Sequence, residues 1–230
     1  MNLAGKVAIV TGGGHGAGAA VAQALAQAGA RVCISDLNPD RAMKVEQAII
    51  TSGGEAMSVP ADVANKFQCV TVIESTREKW GQLDILINAM AVAPKRTIIK
   101  IDEWDFQRAL EVNLKGTFFM SQLCGRVMAD ENGERGGAII NLATTAGITE
   151  PLAGHAAACT ANGAIVGFAA ECAREYAEYG LRVNTVLLNA IDPQPEQAAQ
   201  NTMWLLSKDG GSLNGKLLAP DGSTLKWSSS

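Results

Sequence analysis

The sequence predicts an α/β fold: one doubly wound domain whose mostly parallel sheet of seven strands carries helices on both faces. Three features predict it. Short β-branched runs alternate with helical stretches, a glycine-rich loop joins the first run to the first helix, and 47% of the 230 residues are hydrophobic, enough for a sizeable core. Lys6–Thr11 is the first strand and Arg31–Ser35 the second. Glu55–Val59, Asp84–Asn88, Ala138–Leu142 and Leu181–Leu187 follow, with a short last strand at Lys216–Ala219. Between the first two strands Val21, Leu25 and Ala28 repeat at helical spacing, and Gly29 ends that helix. Glu103–Met128 and Ala156–Tyr179 read as two long helices, and Glu196–Leu206 as the helix before the last strand. Asp130–Gly137 is polar and glycine-rich, a surface turn rather than a linker. One domain is expected over 1–225, with a tail at 226–230.

The bulk properties exclude several functions. A formal net charge of −4 and a pI near 5.3 give no electrostatic footprint for nucleic acid or an acidic membrane. Met1–Lys6 runs directly into an apolar strand, with no room for a cleavable signal, and no apolar run is expected to span a bilayer. The five cysteines, Cys33, Cys69, Cys124, Cys159 and Cys172, form no C-x-x-C pair, and their odd number argues against a disulfide framework. All five are expected to be buried thiols in a reducing cytoplasm, and no metal site is expected.

The stretch Thr11-Gly12-Gly13-Gly14-His15-Gly16-Ala17-Gly18 lies between the first strand and the first helix. A backbone there must turn tightly, approach a pyrophosphate closely and aim helix amides at it, demands that glycine meets because it has no Cβ. This is the phosphate-binding arrangement of a Rossmann domain. Asp36 ends the second strand, where a carboxylate accepts from a ribose 2′-OH and repels a 2′-phosphate, favouring NAD(H) over NADP(H). The other reading of Asp36 is a cap for the following loop.

These residues resemble the short-chain dehydrogenase family over nearly the whole chain. Thr11–Gly18 is similar to its T-G-x-x-x-G-x-G, and Asp62-Val63 to its adenine-contacting pair. Asp84–Asn88 resembles the D-x-L-x-N strand, although only Asn88 survives of the N-N-A-G that ends it. Asn113 resembles the helix asparagine that supports a proton-relay water, and Leu181-Arg182-Val183-Asn184 the G-I-R-V-N strand. The resemblance implies a cofactor site at Thr11, Gly12, Gly14, His15, Gly16, Gly18, Asp36, Asp62, Val63 and Asn88.

It also implies a chemistry that this chain lacks. Family members polarise a carbonyl with a serine, exchange its proton through a tyrosine thirteen residues on, and hold the nicotinamide ribose with a lysine four residues further. Four residues make one helical turn, so tyrosine and lysine share a face. In the register of Asn141–Gly147 the serine position is Thr144, the tyrosine position Ala157 and the lysine position Ala161. No lysine lies between Lys115 and Lys208, and the two tyrosines, Tyr176 and Tyr179, are five turns down the helix. His155, two residues before Ala157, is expected to point away. Leu188-Asn189 replaces the family's P-G, and the stretch from Asn189 to Asp221 has room for one helix rather than a substrate lid as well.

Small residues crowd the helix around Ala157, and Phe106, Leu110, Leu114 and Phe118 repeat at helical spacing in the other long helix. The family builds dimers from two such helices per subunit, and it includes heterotetramers in which one subunit type is degenerate. A catalytically inactive subunit paired with an active sibling is the first expectation. A stand-alone NAD(H)-binding sensor or scaffold is the second. An enzyme of altered chemistry using Thr144, Asn113 or His155 is the third.

Overall fold

The computed structural model describes residues 2–225, so the expected tail at 226–230 lies outside the described residues. Seven strands run parallel: β1 (Val7–Thr11), β2 (Arg31–Asp36), β3 (Glu55–Pro60), β4 (Ile85–Asn88), β5 (Gly137–Thr144), β6 (Leu181–Leu188) and β7 (Leu217–Leu218). An eighth, β8 (Thr224–Leu225), pairs antiparallel with β7 and corrects the expected count of seven. The turn that makes it is local: Gly222 takes φ +83°, and the Asp221 carboxylate accepts from both the amide and the hydroxyl of Ser223. A two-residue strand carries no alternation that a sequence could display.

The strand order is β3-β2-β1-β4-β5-β6-β7-β8. The order reverses between β1 and β4, which opens a crevice at the carboxyl ends of these two strands. Alternate side chains of each strand enter opposite faces. Ala8 and Val10 pack with Val21 and Leu25 of α1 (Gly16–Gln27), Val45 and Ile49 of α2 (Pro39–Thr51), and Leu205 far along the chain. Val7 and Ile9 pack on the other side with Val72 of α3 (Lys66–Trp80) and with Met120 and Cys172. Both faces are covered, which is why the strands read as apolar runs rather than alternating ones.

The stretch expected as one helix from Glu103 to Met128 is broken. It comprises α4 (Glu103–Leu110), a π turn over Glu111–Lys115, and α5 (Gly116–Glu131). The π turn inserts a residue into the helical ladder and bends it around Asn113. Gly116 follows because a Cβ there would lie 2.6 Å from Val63 Cγ2 in the loop after β3. Beside α5 lies α6 (Ala156–Tyr176), and α7 (Pro195–Leu206) covers the opposite face next to α1. Contrary to expectation, Ala156–Tyr179 is long and apolar enough by composition to cross a bilayer, but half of it is buried in the domain, as befits a core helix.

Four cysteines are buried, and Cys159 is half-buried, a departure from the expected set of five. Burial pushes the Cys33 thiol up to about 12 and those of Cys69 and Cys172 up to about 11, so all three are protonated and unreactive at neutral pH.

Two glycines give opposite predictions. Gly136, at the start of β5, has φ +56°, and a Cβ there would lie 2.3 Å from the Gly180 carbonyl oxygen. Gly136→Ala is expected to lower stability by at least about 2 kcal/mol, read from urea unfolding. Gly167 on α6 faces open space, so Gly167→Ala is expected to raise the stability of the isolated chain by up to about 1 kcal/mol.

Candidate active site

The crevice divides into two halves with opposite character. On the β1 side, Thr11 is buried and its hydroxyl donates to the Ile87 carbonyl of β4 at 3.2 Å, fixing the start of the loop. Gly12 takes φ +63°, and a Cβ there would sit 2.7 Å from the Met90 backbone. A Cβ on Gly18 would lie 2.2 Å from the Gly12 carbonyl oxygen, and one on Gly14 2.8 Å from the Asp36 carboxylate. Gly16 differs: φ is +54° and no heavy atom lies within 4 Å of its Cβ position, so the space above the start of α1 is open. His15 occupies the N-cap without a side-chain cap bond and is exposed. Among the described residues the amides of Gly16, Ala17 and Gly18 donate to no protein acceptor. They form a ready anion cradle.

Asp36 takes both roles foreseen for it. Its carboxylate accepts from the amides of Gly14 at 3.1 Å and Asn38 at 2.9 Å, which caps the turn and holds it beside the loop. Each oxygen keeps a lone pair for a ribose hydroxyl. Asp62 accepts from the Ala64 amide and pairs with Arg108 of α4 at 2.9 Å, while the Val63 side chain is buried against Gly116. Asn88 lies beneath the crevice: it is buried and its side-chain amide donates to Ser121 Oγ at 3.0 Å and Asn141 Oδ1 at 2.9 Å. It braces β4 against β5 and α5.

On the β5–β6 side the polar groups are bound to one another. Thr144, the last residue of β5, accepts at Oγ1 from Asn162 Nδ2 at 2.8 Å, and Asn162 also donates to the Ala146 carbonyl at 3.0 Å. Sequence reading missed Asn162, and the available signal was an amide side chain in an α6 segment otherwise made of small residues. Ala157 and Ala161 are both wholly buried and present only methyl groups. Asn113 sits in the π turn and grips Val92 with both ends of its amide, at 2.8 Å each. Its carbonyl accepts from Thr117 Oγ1 at 2.6 Å. His155 bridges to Arg96, and its Nδ1 lies 2.9 Å from the Ala153 carbonyl. Tyr176 donates to the Ser121 carbonyl at 3.1 Å, and burial pushes its hydroxyl up to about 12.

The single helix between β6 and β7 is α7, and it packs on α1 and β6. Among the described residues no helix is left to cover the carboxyl edge between these strands. Asn189 accepts from the amides of Ile191 and Asp192 and closes the connection into a tight turn. Among the described residues no group of three or more His, Cys, Asp or Glu side chains is placed to hold a metal ion.

Residues 6–204 match the family model described as short chain dehydrogenase. The chain belongs to the short-chain dehydrogenase family. It is similar to D-threitol dehydrogenase of Mycolicibacterium smegmatis, 35% identical over 81% of this chain and 70% of that protein. It is also similar to tropinone reductase-like 1 of Erythroxylum coca, 32% identical over 96% of this chain and 81% of that one. A short chain dehydrogenase structure from Mycobacterium avium superposes with a TM-score of 0.88 at 28% identity, covering 95% of this chain and 83% of that one. Against this family frame the glycine loop, the free amides of α1 and Asp36 fit the ADP end of a nicotinamide dinucleotide. On the β5–β6 side the family's tyrosine and lysine positions hold the buried methyl groups of Ala157 and Ala161.

Asn162→Ala should cost about 1–3 kcal/mol in chemical denaturation, because it leaves the Ala146 carbonyl and the Thr144 hydroxyl without their donor. An unchanged midpoint would show that the Thr144–Asn162 contact contributes nothing.

Proposed function

We propose that this chain is a catalytically silent subunit that assembles with an active, NAD-dependent short-chain alcohol or hydroxyacyl dehydrogenase. One observation carries the reading: the positions of the family's proton donor and ribose-holding cation are Ala157 and Ala161, two buried methyl groups. A positioned general acid contributes roughly 10²–10⁴ in rate, and neither alanine can supply one. The Thr144 hydroxyl accepts from Asn162, and only one helix lies between β6 and β7, where family members carry a lid as well. The relatives' names, among them D-threitol and galactitol 2-dehydrogenase, supply the reaction class expected of a partner.

The surface for that partner is the pair α5 and α6. Phe118 of α5 is 38% exposed and meets Phe168 of α6 edge-on at 6.0 Å, forming an aromatic seam across the two helices. Beside it on α6, Gly167 is exposed and the Gly163 and Ala164 positions are half-buried, so a second helix pair can approach closely. A four-helix contact of this kind stabilises the partner's fold through a large buried area. The working form is then a hetero-oligomer, a tetramer by analogy with the family.

The purified chain should oxidise no secondary alcohol with NAD+ or NADP+, and installing both Ala157→Tyr and Ala161→Lys should restore little, because the lid is still missing. Turnover by the unaltered chain that Thr144→Ala abolishes would overturn the silent-subunit reading. After co-expression with its nearest intact relative, native mass spectrometry should find a mixed tetramer that Ala164→Trp splits. Separate elution of the two chains, with the relative fully active and stable alone, would remove the partner.

A further inference from the structure

We infer that a cavity at the opposite, amino-terminal edge of the sheet is a binding site for a small phosphate-type anion, held by Lys6, Arg135 and Arg182. The site is separate from the crevice and independent of the silent-subunit reading.

The beginnings of three strands bring these cations together. Lys6 directly precedes β1, Arg135 ends the short turn before β5, and Arg182 is the second residue of β6. Because these strands run parallel, their beginnings share one edge of the sheet. There the three side chains, with Asp84, Gly180 and Leu206, line a cavity of about 200 Å³. Pockets for drug-sized molecules measure roughly 300–1,000 Å³, so the occupant of this one is small.

Asp84 is the one carboxylate in that lining, and it is already engaged. Its side chain is 2% exposed, against 38% for Lys6, and it accepts from Lys6 Nζ at 3.1 Å. It also accepts from the Val7 amide at 2.9 Å and from Gln82 Nε2 at 2.8 Å. Among the described residues neither Arg135 nor Arg182 forms a salt bridge. Arg135 reaches the Glu131 carbonyl, but the Glu131 carboxylate pairs with Arg77. Arg182 is half-buried and donates through Nη1 to the Leu205 and Leu213 carbonyls, at 3.2 Å each. Its Nε and Nη2 have no acceptor among the described residues, and burial holds the guanidinium below the usual arginine range. Three positive charges against one negative leave an excess of two, in a protein whose formal net charge is −4. A phosphate group carries about −1.5 to −2 at pH 7 and presents several acceptor oxygens to guanidinium donors. A single carboxylate would balance only half of that excess.

The test is titration of the full chain with inorganic phosphate and with glycerol 3-phosphate at constant ionic strength, followed by amide NMR shifts and thermal unfolding. Saturable shifts should centre on Gly137, Gly180 and Arg182, with a dissociation constant of about 1 mM or tighter. The unfolding midpoint should rise with either ligand and not with matched sodium chloride. Tighter binding of glycerol 3-phosphate would make a phosphorylated metabolite the source of the anion, and tighter binding of inorganic phosphate the free ion. Arg135→Gln removes an exposed cation and should weaken binding about tenfold. Arg182→Lys keeps the charge, loses the guanidinium fork and should also bind more weakly; should it fail to fold, Arg135→Gln decides alone. Shifts confined to Gly16, Ala17 and Gly18 would put the anion at the crevice and overturn the inference. Shifts that never saturate, or an Arg135→Gln chain that binds phosphate as tightly as the unaltered one, would overturn it equally.

Discussion

The carboxyl edge of this protein depends on one close approach, that of the loop after β1 to the strand and helix on either side of it. The Gly18 Cα lies so near the Gly12 carbonyl that a single methyl group would drive the two apart, and Gly12 is equally tight against the backbone at Met90. These are backbone contacts, which cannot yield by a change of rotamer. They set where α1 begins, and through Val21 and Leu25 they set how α1 lies on Ala8 and Val10. Because α7 packs on α1, the placement of the last helix follows from the same contact. The crevice between β1 and β4 is what this arrangement leaves open.

The two sides of the crevice differ in what was done with their hydrogen-bonding groups. Around Gly16 the donors face outward and no side chain is near enough to occupy them. Around Thr144 several polar groups are bound internally: the Thr144 hydroxyl accepts from Asn162, the Thr145 hydroxyl donates to Glu150, and Asn113 grips Val92. A pocket that binds must hold polar groups in readiness, at a cost in stability, since an unpaired polar group weakens the fold when buried. On the β5–β6 side, methyl groups at positions 157 and 161 fill their space without any demand for partners.

Much of this was legible in the chain itself. Strands buried on both faces announce themselves as short apolar runs, so all seven parallel strands lie within two residues of their expected bounds. The alanines at 157 and 161 were equally legible, because flanking residues fixed the register. What escaped has physical reasons. The π turn over Glu111–Lys115 adds one residue to a helix without altering its apolar pattern enough to show. Asn162 matters through a partner eighteen positions away, and such pairing is a property of three dimensions. The bonds of Asn88 to Ser121 and Asn141, thirty-three and fifty-three positions away, are likewise visible only in three dimensions.

The buried polar trio at Asn88, Ser121 and Asn141 ties the floor of the crevice to the helix pair. Asn88 donates to both of the others, and Tyr176 of α6 donates to the Ser121 carbonyl from the side. The floor of the crevice is thereby bonded to α5, and α5 to α6, the two helices whose outer face carries Phe118 and Phe168. Removing any one member would strand its partners away from water, which is more costly than never having had them. Ala157 and Ala161 stand outside this network, since neither methyl group holds a hydrogen bond in it. The bonds that join the floor to the helix pair therefore do not depend on what side chain occupies either position.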